Sequence, residues 1–313
     1  MRAPLLLLLL LATGACATSP AAAQRAPAPR YALTTSPELM SLERDLRARI
    51  ARDTVGEVAV AVIDLATGRT LGINQDVSMH AASTMKVPVM MELFRQADAG
   101  RHGIDDSITV INTFRSIADT SHYTLASDRD TNLVAHLGKP LSLRRIAHSM
   151  ITVSSNLATN ILIDYLTADS VQRTMAAIGA QDMVVLRGVS DDPAFRRGMN
   201  NTTTAAALAR AMEIVARCSM HTRRSCDGMM AMLEAQTFRS EIPAGVPPGV
   251  RVGNKTGSIT GHRHDAAIVL PAGRAPYVVV VLTRGAASSR AATAVAVDIS
   301  HVVWEHLGGA AAR

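Results

Sequence analysis

Two separated parts of the chain carry runs of apolar and β-branched residues that predict β-strands. Residues 57–73 read EVAVAVIDLATGRTLGI, in which a first run, the turn formers ATG and a second short run predict a β-hairpin. Near the end of the chain, turn formers separate three more runs, namely RVGNKTGS, HDAAIVLP and YVVVVLTRG. The sequence therefore predicts two early strands and three late ones.

Between the two groups of strands, apolar residues recur every three or four positions, which is the period of an amphipathic helix. This pattern extends from Ser83 to about Leu233 and includes LRRIAHSMI, NLATNILIDYL, VQRTMAAIGA and TTTAAALARAMEIVA. A last amphipathic segment, SRAATAVAVDISHVVWEHL, begins at a serine that can cap a helix and ends at a pair of glycines. These patterns predict a central block of helices and a terminal helix.

The simplest fold joins the five strands into one sheet, because an early hairpin and three late strands can pair around an inserted segment. The predicted fold class is α+β with two lobes: a five-stranded antiparallel sheet flanked by terminal helices, and an inserted all-helical lobe. We expect a single domain at residues 37–313. Its α/β lobe would comprise residues 37–80 and 250–308, its helical lobe residues 81–249, and the seam between them is the expected place for a pocket.

The first residues have the composition of an export signal. MRAPLLLLLLLATGACATSPAAAQ contains one arginine, a leucine run too short to span a bilayer comfortably, and then small residues. Cleavage after Ala23 would make residues 1–23 the signal. The alternative is lipoprotein cleavage before Cys16, which would leave a lipid anchor, although TGAC lacks the leucine usual three residues before such a cysteine. We expect residues 24–36 to form a flexible lead and the mature protein to work in the bacterial periplasm or cell envelope.

The two remaining cysteines lie close together in CSMHTRRSC. In an oxidising compartment Cys218 and Cys226 can form a disulfide in a surface loop, and two unpaired thiols are the alternative. A metal site is not expected, because neither cysteine has a CxxC partner and His221 alone does not complete a tetrahedral set. Nothing in the sequence implies an organic cofactor.

Composition and charge limit the classes of partner. A chain of 313 residues with 48% hydrophobic residues can bury a sizeable core. The net charge of +6 comes from 32 Lys and Arg against 26 Asp and Glu, but the basic residues are scattered in isolated pairs without interleaved aromatics. Nucleic-acid binding is therefore not expected, whereas an anionic small molecule is compatible with the charge. With no sign of an interface, we expect a monomer.

Residues 80–89, HAASTMKVPV, contain the first candidate for catalysis. Ser83 and Lys86 lie three residues apart, so on a helix they share a face, and a serine needs a neighbouring base to act as a nucleophile. Pro88 indicates that the helix N-terminus is near, since a proline deep inside a helix costs about 3 kcal/mol. An S-x-x-K pattern is common by chance, and a helix-start serine with a solvated lysine is the alternative.

Two further segments strengthen the catalytic interpretation. ITVSSNLATN places Ser154 and Asn156 at the start of an apolar helical run, and RVGNKTGSIT places Lys255, Thr256 and Gly257 on a late strand. The order S-x-x-K, S-x-N, K-T-G matches the motif set of penicillin-recognising serine enzymes. With these motifs the chain resembles the class A β-lactamase type of serine hydrolase, a relative of the penicillin-binding proteins. The resemblance covers residues 40–308 and includes STMKVPVM, LSLRRIAHSMITVSSNLATNILI, NNTTTA and VGNKTGS.

The resemblance implies a catalytic role for four residues. Ser83 would be the acylated nucleophile, and Lys86 its hydrogen-bonded activator. Ser154 would relay a proton to the leaving nitrogen. The backbone N–H groups of Ser83 and Ser258 would form the oxyanion hole, a type of donor pair that is worth several kcal/mol.

The same resemblance implies the substrate-binding residues. Asn156 would hold the amide side chain of the substrate. Lys255 and Thr256 would engage its carboxylate. Gly257 would be required because a side chain there would obstruct the substrate against the strand.

The pattern departs from the family in one loop. Class A β-lactamases carry a glutamate there that activates the water for deacylation, whereas VVLRGVSDDPAFRRGMNNTTTA has none. Ser190, Asp191 and Asp192 are the nearest candidates, and an aspartate reaches one bond less far than a glutamate. Asn160 matches an asparagine that steadies this loop in the family, with a helix-surface amide as the alternative. Acylation is therefore expected, and efficient deacylation is in doubt.

The residues that follow the K-T-G motif allow two interpretations of their role towards the substrate. His262, Arg263 and His264 are either second contacts to a carboxylate or turn residues. His264 and Asp265 suggest a Ser-His-Asp triad, but a histidine has no role once the two motif lysines complete the arrangement, so a triad is not expected. His80 is interpreted as a packed residue at a strand end.

These features give three functional hypotheses. The first is an exported hydrolase that opens β-lactam amides through an acyl-enzyme on Ser83. The second keeps the fold but changes the substrate to envelope peptides or esters, as in a D-alanyl peptidase, amidase or esterase. The third is a module that binds a β-lactam or muropeptide and holds it as a stalled adduct.

Overall fold

A computed structural model describes residues 28–52 and 56–308, so the expected export signal at residues 1–23, with Cys16, lies outside the described residues. The α-helices are α1 Met40–Ile50, α2 Lys86–Asp98, α3 Thr131–Val134, α4 Leu143–Thr152, α5 Asn156–Leu166, α6 Ala168–Ala177, α7 Asp192–Arg196, α8 Ala205–Arg217, α9 Arg223–Glu234 and α10 Ser289–Val303. The strands are β1 Glu57–Asp64, β2 Thr70–Ile73, β3 Met79–His80, β4 Ser107–Thr109, β5 Phe114–Arg115, β6 His122–Tyr123, β7 Pro140–Ser142, β8 Thr202–Thr203, β9 Arg251–Ile259, β10 His262–Leu270 and β11 Tyr277–Arg284.

Five of these strands form one antiparallel sheet in the order β2-β1-β11-β10-β9, which confirms the predicted sheet. The early strand β1 pairs with the late strand β11 over its whole length, from Glu57 opposite Arg284 to Asp64 opposite Tyr277. The two ends of the domain are therefore joined within the sheet, and the helical lobe is inserted between them.

Both faces of the central strands are buried, which explains why EVAVAVI and YVVVV read as continuous apolar runs. On one face Val58, Val60 and Val62 belong to a core shared with α1 and α10. On the other face Ala59 and Ala61 belong to the larger core of the helical lobe, where α8 packs on the sheet. The small alanine side chains allow α8 to lie close to the strands.

The inserted lobe is not all-helical, and the prediction was wrong in this respect. Two short strand pairs, β4 with β7 and β5 with β6, lie among its helices. A third pair, β3 with β8, lies at its boundary with the sheet. Strands of two or three residues are too short to produce a recognisable period in a sequence.

The described part of the expected flexible lead is fixed to the rest of the fold. The N–H of Tyr31 donates to the carbonyl of Gly179 (2.8 Å), and the N–H of Ser36 donates to the carbonyl of Thr70 (2.8 Å). Between them Leu33 is only 2% exposed. Residues 28–36 therefore connect the end of α6 to the edge strand β2. Composition did not reveal this, because backbone hydrogen bonds of an extended segment leave no composition signal.

The structure joins Cys218 and Cys226 in a disulfide between the end of α8 and α9. Cys218 is the residue after α8 and has a left-handed backbone conformation. Cys226 is 3% exposed. The bridge is thus partly inside the helical lobe rather than in an exposed surface loop as expected, because α9 packs this face of its first turns against the core.

Candidate active site

Ser83 lies in a tight turn at the seam between the lobes. A 3-10 turn at Ala82–Met85 leads directly into α2, which begins at Lys86. Ala82 has φ 46°, a left-handed conformation that is unfavourable for a residue with a side chain. The turn is held because the N–H of Ala81 donates to the carbonyl of Asn201 (2.9 Å). Ser83 is half-buried at the wall of the seam.

The amine of Lys86 is fully buried and points to the S-x-N segment. Its Nζ lies within hydrogen-bond distance of four acceptors, namely the carbonyl (2.8 Å) and the Oγ (3.1 Å) of Ser154, the carbonyl of Ser155 (3.3 Å) and Oδ1 of Asn156 (2.9 Å). Within the described residues no hydrogen bond joins Lys86 to Ser83, so the predicted direct bond is wrong for this structure. Helical spacing places the two residues on one face, but the long lysine chain extends past Ser83 to the acceptors of the next element.

The S-x-N segment opens α5, as the sequence predicted. Ser155 caps this helix, with its Oγ accepting from the N–H of Ala158 (3.0 Å). Asp128, which sequence reasoning missed, accepts from the N–H groups of Asn156 (2.7 Å) and Leu157 (2.8 Å). A carboxylate is favourable at a helix N-terminus, because the free N–H groups there carry partial positive charge. Asp128 therefore fixes the start of the helix that presents Asn156, and no motif in the sequence indicates it.

The K-T-G strand closes the same site from the sheet. Lys255 is fully buried in β9, and its Nζ donates to the Oγ of Ser154 (3.1 Å) and to the carbonyl of Thr256 (2.8 Å). The hydroxyl of Ser154 thus accepts from both motif lysines. All three motifs meet at this one oxygen.

Gly257 is required for a different reason from the one expected. A Cβ at this position would lie 3.0 Å from Cγ2 and 3.1 Å from N of Thr84, and 3.2 Å from the carbonyl oxygen of Ala81. These atoms belong to the turn that carries Ser83, not to the space for a substrate. The glycine therefore allows β9 to lie directly against that turn, which places Ser258 and Ser83 on the wall of one cavity.

Burial governs the charge of both lysines. Burial lowers the pKa of Lys86 well below its usual range, and the neighbouring charge of Lys255 lowers it further, whereas Asp128 acts in the opposite direction. The acceptors around its Nζ are all neutral and offset the burial only in part. Burial also lowers the pKa of Lys255 to about 7. Lys86 can therefore lose its proton at a pH where an exposed lysine would remain charged.

Two adjoining cavities of about 330 Å³ each share Ser83, Asn156 and Ser258 in their walls. The first extends towards the loop of residues 187–201. The second extends along β9 towards Thr256 and Arg263. Nothing in the described residues groups three or more His, Cys, Asp or Glu side chains so that they could hold a metal ion.

Asn160 fixes the loop that borders the first cavity. Its Oδ1 accepts from the N–H of Val189 (2.7 Å), and its Nδ2 donates to the carbonyl of the same residue (3.0 Å). Asn160 is 2% exposed, so the alternative of a helix-surface amide is wrong. Arg187 and Asn201 join the two ends of the loop through backbone and side-chain hydrogen bonds. These two residues were not singled out for this role, and only their pairing in space reveals it.

Replacing Asn160 with alanine is expected to lower the free energy of unfolding by about 1–3 kcal/mol, because it removes two hydrogen bonds to the partly buried backbone of Val189. Urea unfolding of the variant and the wild type measures the difference. Asn132→Ala is the matched control, since Asn132 is exposed on the short helix α3. Equal losses in the two variants would contradict the role of Asn160.

The three loop candidates for water activation differ sharply in their surroundings. The carboxylate of Asp191 is buried and accepts from Ser116 Oγ (2.7 Å), the N–H of Ala194 (3.1 Å) and the N–H of Ile117 (3.1 Å). It caps α7 and anchors the loop, so its oxygens are already occupied. Ser190 and Asp192 are exposed and line the cavity.

His264 does not form a triad with Asp265. Its Nε2 lies 2.9 Å from the carbonyl of His80, and its Nδ1 accepts from the N–H of Thr283 (3.2 Å), so both ring nitrogens are occupied by backbone groups. Burial lowers the pKa of His264 to about 4. The carboxylate of Asp265 instead accepts from Nδ2 of Asn254 (3.0 Å). His264 is thus a neutral, structural histidine inside the sheet.

The second cavity contains charged residues that the motifs did not identify. Arg263 lines it, but its guanidinium donates to the buried carboxylate of Glu241 (Nε to Oε1, 2.6 Å), which balances its charge. The guanidinium of Arg129 lies 5.0 Å from the centre of the Phe238 ring at the same cavity. Arg263 lies on β10, whereas Arg129, Phe238 and Glu241 lie in connecting segments elsewhere in the sequence, so only the fold brings them to the site.

Comparisons with known proteins agree with this geometry. The chain is 27% identical over 306 residues to the β-lactamase AST-1 of Nocardia asteroides, covering 96% of this chain and 95% of that protein. It is 27% identical over 256 residues to a β-lactamase of Bacillus subtilis (strain 168), covering 80% of this chain and 76% of that protein.

Solved structures show the same fold. The crystal structure of a β-lactamase from Sphaerobacter thermophilus matches with a TM-score of 0.71 and 28% identity, covering 86% of this chain and 97% of that one. The structure of PBP-A, at 22% identity, matches in fold with a TM-score of 0.74, covering 88% of this chain and 98% of that one. A model of the β-lactamase enzyme family matches residues 41–307. With the three motifs converging on Ser154 and nearly the whole domain matched, the chain belongs to the β-lactamase enzyme family of serine hydrolases.

Proposed function

We propose that this chain is an exported hydrolase that opens the amide of β-lactams through an acyl-enzyme on Ser83. The observation that carries the proposal is the hydroxyl of Ser154, which accepts from Lys86 and Lys255 at 3.1 Å each beside the cavity that Ser83 lines. Two buried amines around one hydroxyl form a route for a proton between a nucleophile and a leaving group. Membership of the family and the names of the relatives support β-lactams as the substrate class.

The acylation step uses groups of this site alone. For this step the neutral amine of Lys86 must turn from its S-x-N acceptors towards Ser83, whose Oγ then attacks the carbonyl carbon of the substrate as its proton passes to that amine. The C–N bond then breaks as Ser154 gives its hydroxyl proton to the leaving nitrogen. Lys86 returns a proton to Ser154 across the 3.1 Å contact, so the proton balance closes. The N–H groups of Ser83 and Ser258 stabilise the developing oxyanion.

The second cavity accounts for binding of an anionic substrate. Lys255 supplies positive charge next to Ser154, which lines the cavity together with Thr256. Asn156 lines both cavities and is placed to contact the amide side chain of the substrate. Since Glu241 balances Arg263, we assign recognition of the carboxylate to Lys255, with the Arg129 guanidinium at the same cavity as a second cation.

Export and a periplasmic or envelope location follow from the composition of residues 1–23, with attachment through Cys16 as the lipid-anchored alternative. None of the helices in the described residues is long and apolar enough to cross a bilayer. We propose that the protein acts as a monomer.

A second function is favoured by one observation in the loop. The Asp191 carboxylate is occupied by three donors, and Ser190 is not acidic, so Asp192 is the remaining carboxylate among the three loop candidates. Hydrolysis of the acyl-enzyme would then be slow for a β-lactam. A site of this kind suits a D-alanyl peptidase, amidase or esterase acting on envelope peptides. If hydrolysis of the acyl-enzyme were slower still, the protein would act as a penicillin- or muropeptide-binding module.

Turnover of a chromogenic cephalosporin, followed together with the intact mass of the mature protein, separates these functions. The proposed β-lactamase is expected to release many equivalents of colour and to show little adduct at steady state. One equivalent of colour with a lasting mass increase would contradict it and favour the second function, which peptide and ester substrates would then test. The absence of both colour and a covalent adduct would contradict acylation altogether.

A further inference from the structure

His80 is the last residue of β3, three positions before Ser83, and none of the three motifs includes it. β3 pairs with β8, which sets His80 opposite Thr202. Its carbonyl lies 2.9 Å from Nε2 of His264 in the sheet. Its half-buried imidazole lines the first cavity together with Ser83. The strand end is therefore fixed on two sides, and the ring lies beside the nucleophile.

The imidazole makes a hydrogen bond to the turn itself. Nδ1 of His80 lies 3.0 Å from the N–H of Ala82 and accepts from it. Ala82 has the left-handed backbone conformation, with φ 46°, which costs on the order of 1–2 kcal/mol for a residue with a side chain. Such a conformation persists where surrounding contacts hold it. The His80 acceptor is a contact directly on this residue, immediately before the nucleophile.

We propose that His80 is a positioning residue for the nucleophile, and that its neutral imidazole holds the Ala82 turn so that Ser83 faces the substrate. This inference rests on the proposed acylation of Ser83. His80 does not act as a base here, because Nδ1 is occupied as an acceptor and the proton of the neutral ring is therefore on Nε2. Its action on the reaction passes through the backbone of Ala82.

The role makes the turn sensitive to acid. A protonated imidazole carries N–H groups on both nitrogens and cannot accept from the N–H of Ala82. From β10, His262 faces the ring with the centres 6.2 Å apart, and from the loop Arg187 adds positive charge. Asp191 and Asp192 line the same cavity from the loop and α7, but Asp191 is occupied by its three donors.

The surroundings keep the ring neutral over the physiological range. Burial lowers the pKa of His80, and the charges of His262 and Arg187 lower it further. A base whose pKa is lowered is neutral above that pKa and becomes charged as the pH falls through it. The hydrogen bond to Ala82 is therefore present at neutral pH and is lost on the acid side of the ordinary histidine range, below about pH 6.5.

The test compares acylation rate constants of the wild type, His80→Ala and His80→Asn with a fluorescent penicillin between pH 5 and 8. His80→Ala is expected to acylate about tenfold more slowly at pH 7.5, the effect of one hydrogen bond on the barrier. His80→Asn places an amide oxygen near the position of Nδ1 and is expected to restore most of that rate. Asparagine does not titrate, so the ratio of the His80→Asn rate to the wild-type rate should rise as the pH falls.

The amide resonance of Ala82 in the ¹⁵N-labelled protein gives a second measurement that does not depend on acylation. It is expected to shift with the titration of His80 in the wild type and not in His80→Asn. His301→Asn is the matched control for both measurements, because His301 is exposed on α10 and is not part of either cavity. That variant should keep the wild-type pH profile.

The outcomes are distinguishable from failure of the proposed function. A wild type that is not acylated at any pH would contradict the proposed function and this inference with it. A wild type that is acylated normally, with an unchanged rate in His80→Ala, a constant ratio for His80→Asn, or no titration of the Ala82 amide, would overturn the role of His80 alone.

Discussion

Replacing Ser83 with alanine is expected to abolish covalent labelling by a penicillin and to reduce β-lactam ring opening by at least about four orders of magnitude. The reason is that the acyl-enzyme requires an oxygen at this position, and removal of a nucleophile leaves only binding and oxyanion stabilisation. Ser83 is half-buried at the wall shared by both cavities, so the substitution removes one oxygen without opening the core.

The site of labelling can be located directly. Trypsin is expected to release residues 70–86, TLGINQDVSMHAASTMK, as one peptide that carries Ser83. In the wild type, fragmentation of this peptide should place the penicilloyl adduct on Ser83. Ser107→Ala is the matched control, because Ser107 is an exposed serine on β4, and it should be labelled as fast as the wild type. An adduct on another residue, or labelling that survives in Ser83→Ala, would refute the assignment of the nucleophile.

Replacing Lys86 with arginine is expected to slow acylation by about 10²- to 10⁴-fold, although the arginine supplies a positive charge and hydrogen-bond donors. Arginine stays protonated at any accessible pH and cannot receive the proton of Ser83. Lys86→Ala should slow acylation by a similar factor. The comparison therefore separates a base from a fixed positive charge, since a retained rate in Lys86→Arg alone would show that the charge is what matters.

The chain offers an internal control, because Lys86, Lys139 and Lys255 are its three lysines. Lys139 is exposed, so Lys139→Arg should leave acylation unchanged. Selective ¹³C-lysine labelling should give three side-chain signals, and those of Lys86 and Lys255 should titrate below the ordinary lysine range. Titration of either site lysine within that range would contradict the effect of burial.

The lowered pKa values of Lys86 and Lys255 also determine the expected pH profile of kcat/KM. Lys86 acts as a base only above its lowered pKa, so the rate should rise with pH through that value. Lys255 has a pKa of about 7 and loses its charge above it, so binding of a substrate carboxylate should weaken there. Together they predict a bell-shaped profile whose alkaline side is absent for an uncharged ester substrate.

The sequence predicted the fold where the physical signal is local. Doubly buried strands read as unbroken apolar runs, and α10 has the apolar period expected of a helix, although its cap is Ser288 rather than Ser289, the first residue of the predicted segment. Short strand pairs such as β5 with β6 escaped notice, since their pairing depends on neighbours rather than on a period. The extended segment around Leu33 escaped for the same reason, because its partners lie on α6 and β2.

In the candidate site, too, some features were predictable from the sequence and others depended on the fold. Sequence motifs identified Ser83, Lys86, Ser154 and Lys255, because these chemical groups recur at characteristic spacings. The direction of the Lys86 amine was not predictable, since the acceptors that it reaches are almost seventy positions further along the chain. The loop carboxylates show the same limit. Asp191 and Asp192 are adjacent and chemically identical, yet one is buried as a helix cap and the other is exposed to the cavity.

By itself the sequence determined the order of the long strands and of the helical block, the family resemblance and the residues that we propose to react. Those properties depend on periodicity and residue type, which are written along the chain. The tertiary structure alone decided which hydrogen bonds those groups make, which charges burial suppresses, why Gly257 has no side chain, and that His80 holds the Ala82 turn. Each of these depends on atoms brought together from distant positions, and distance along a chain does not specify distance in space.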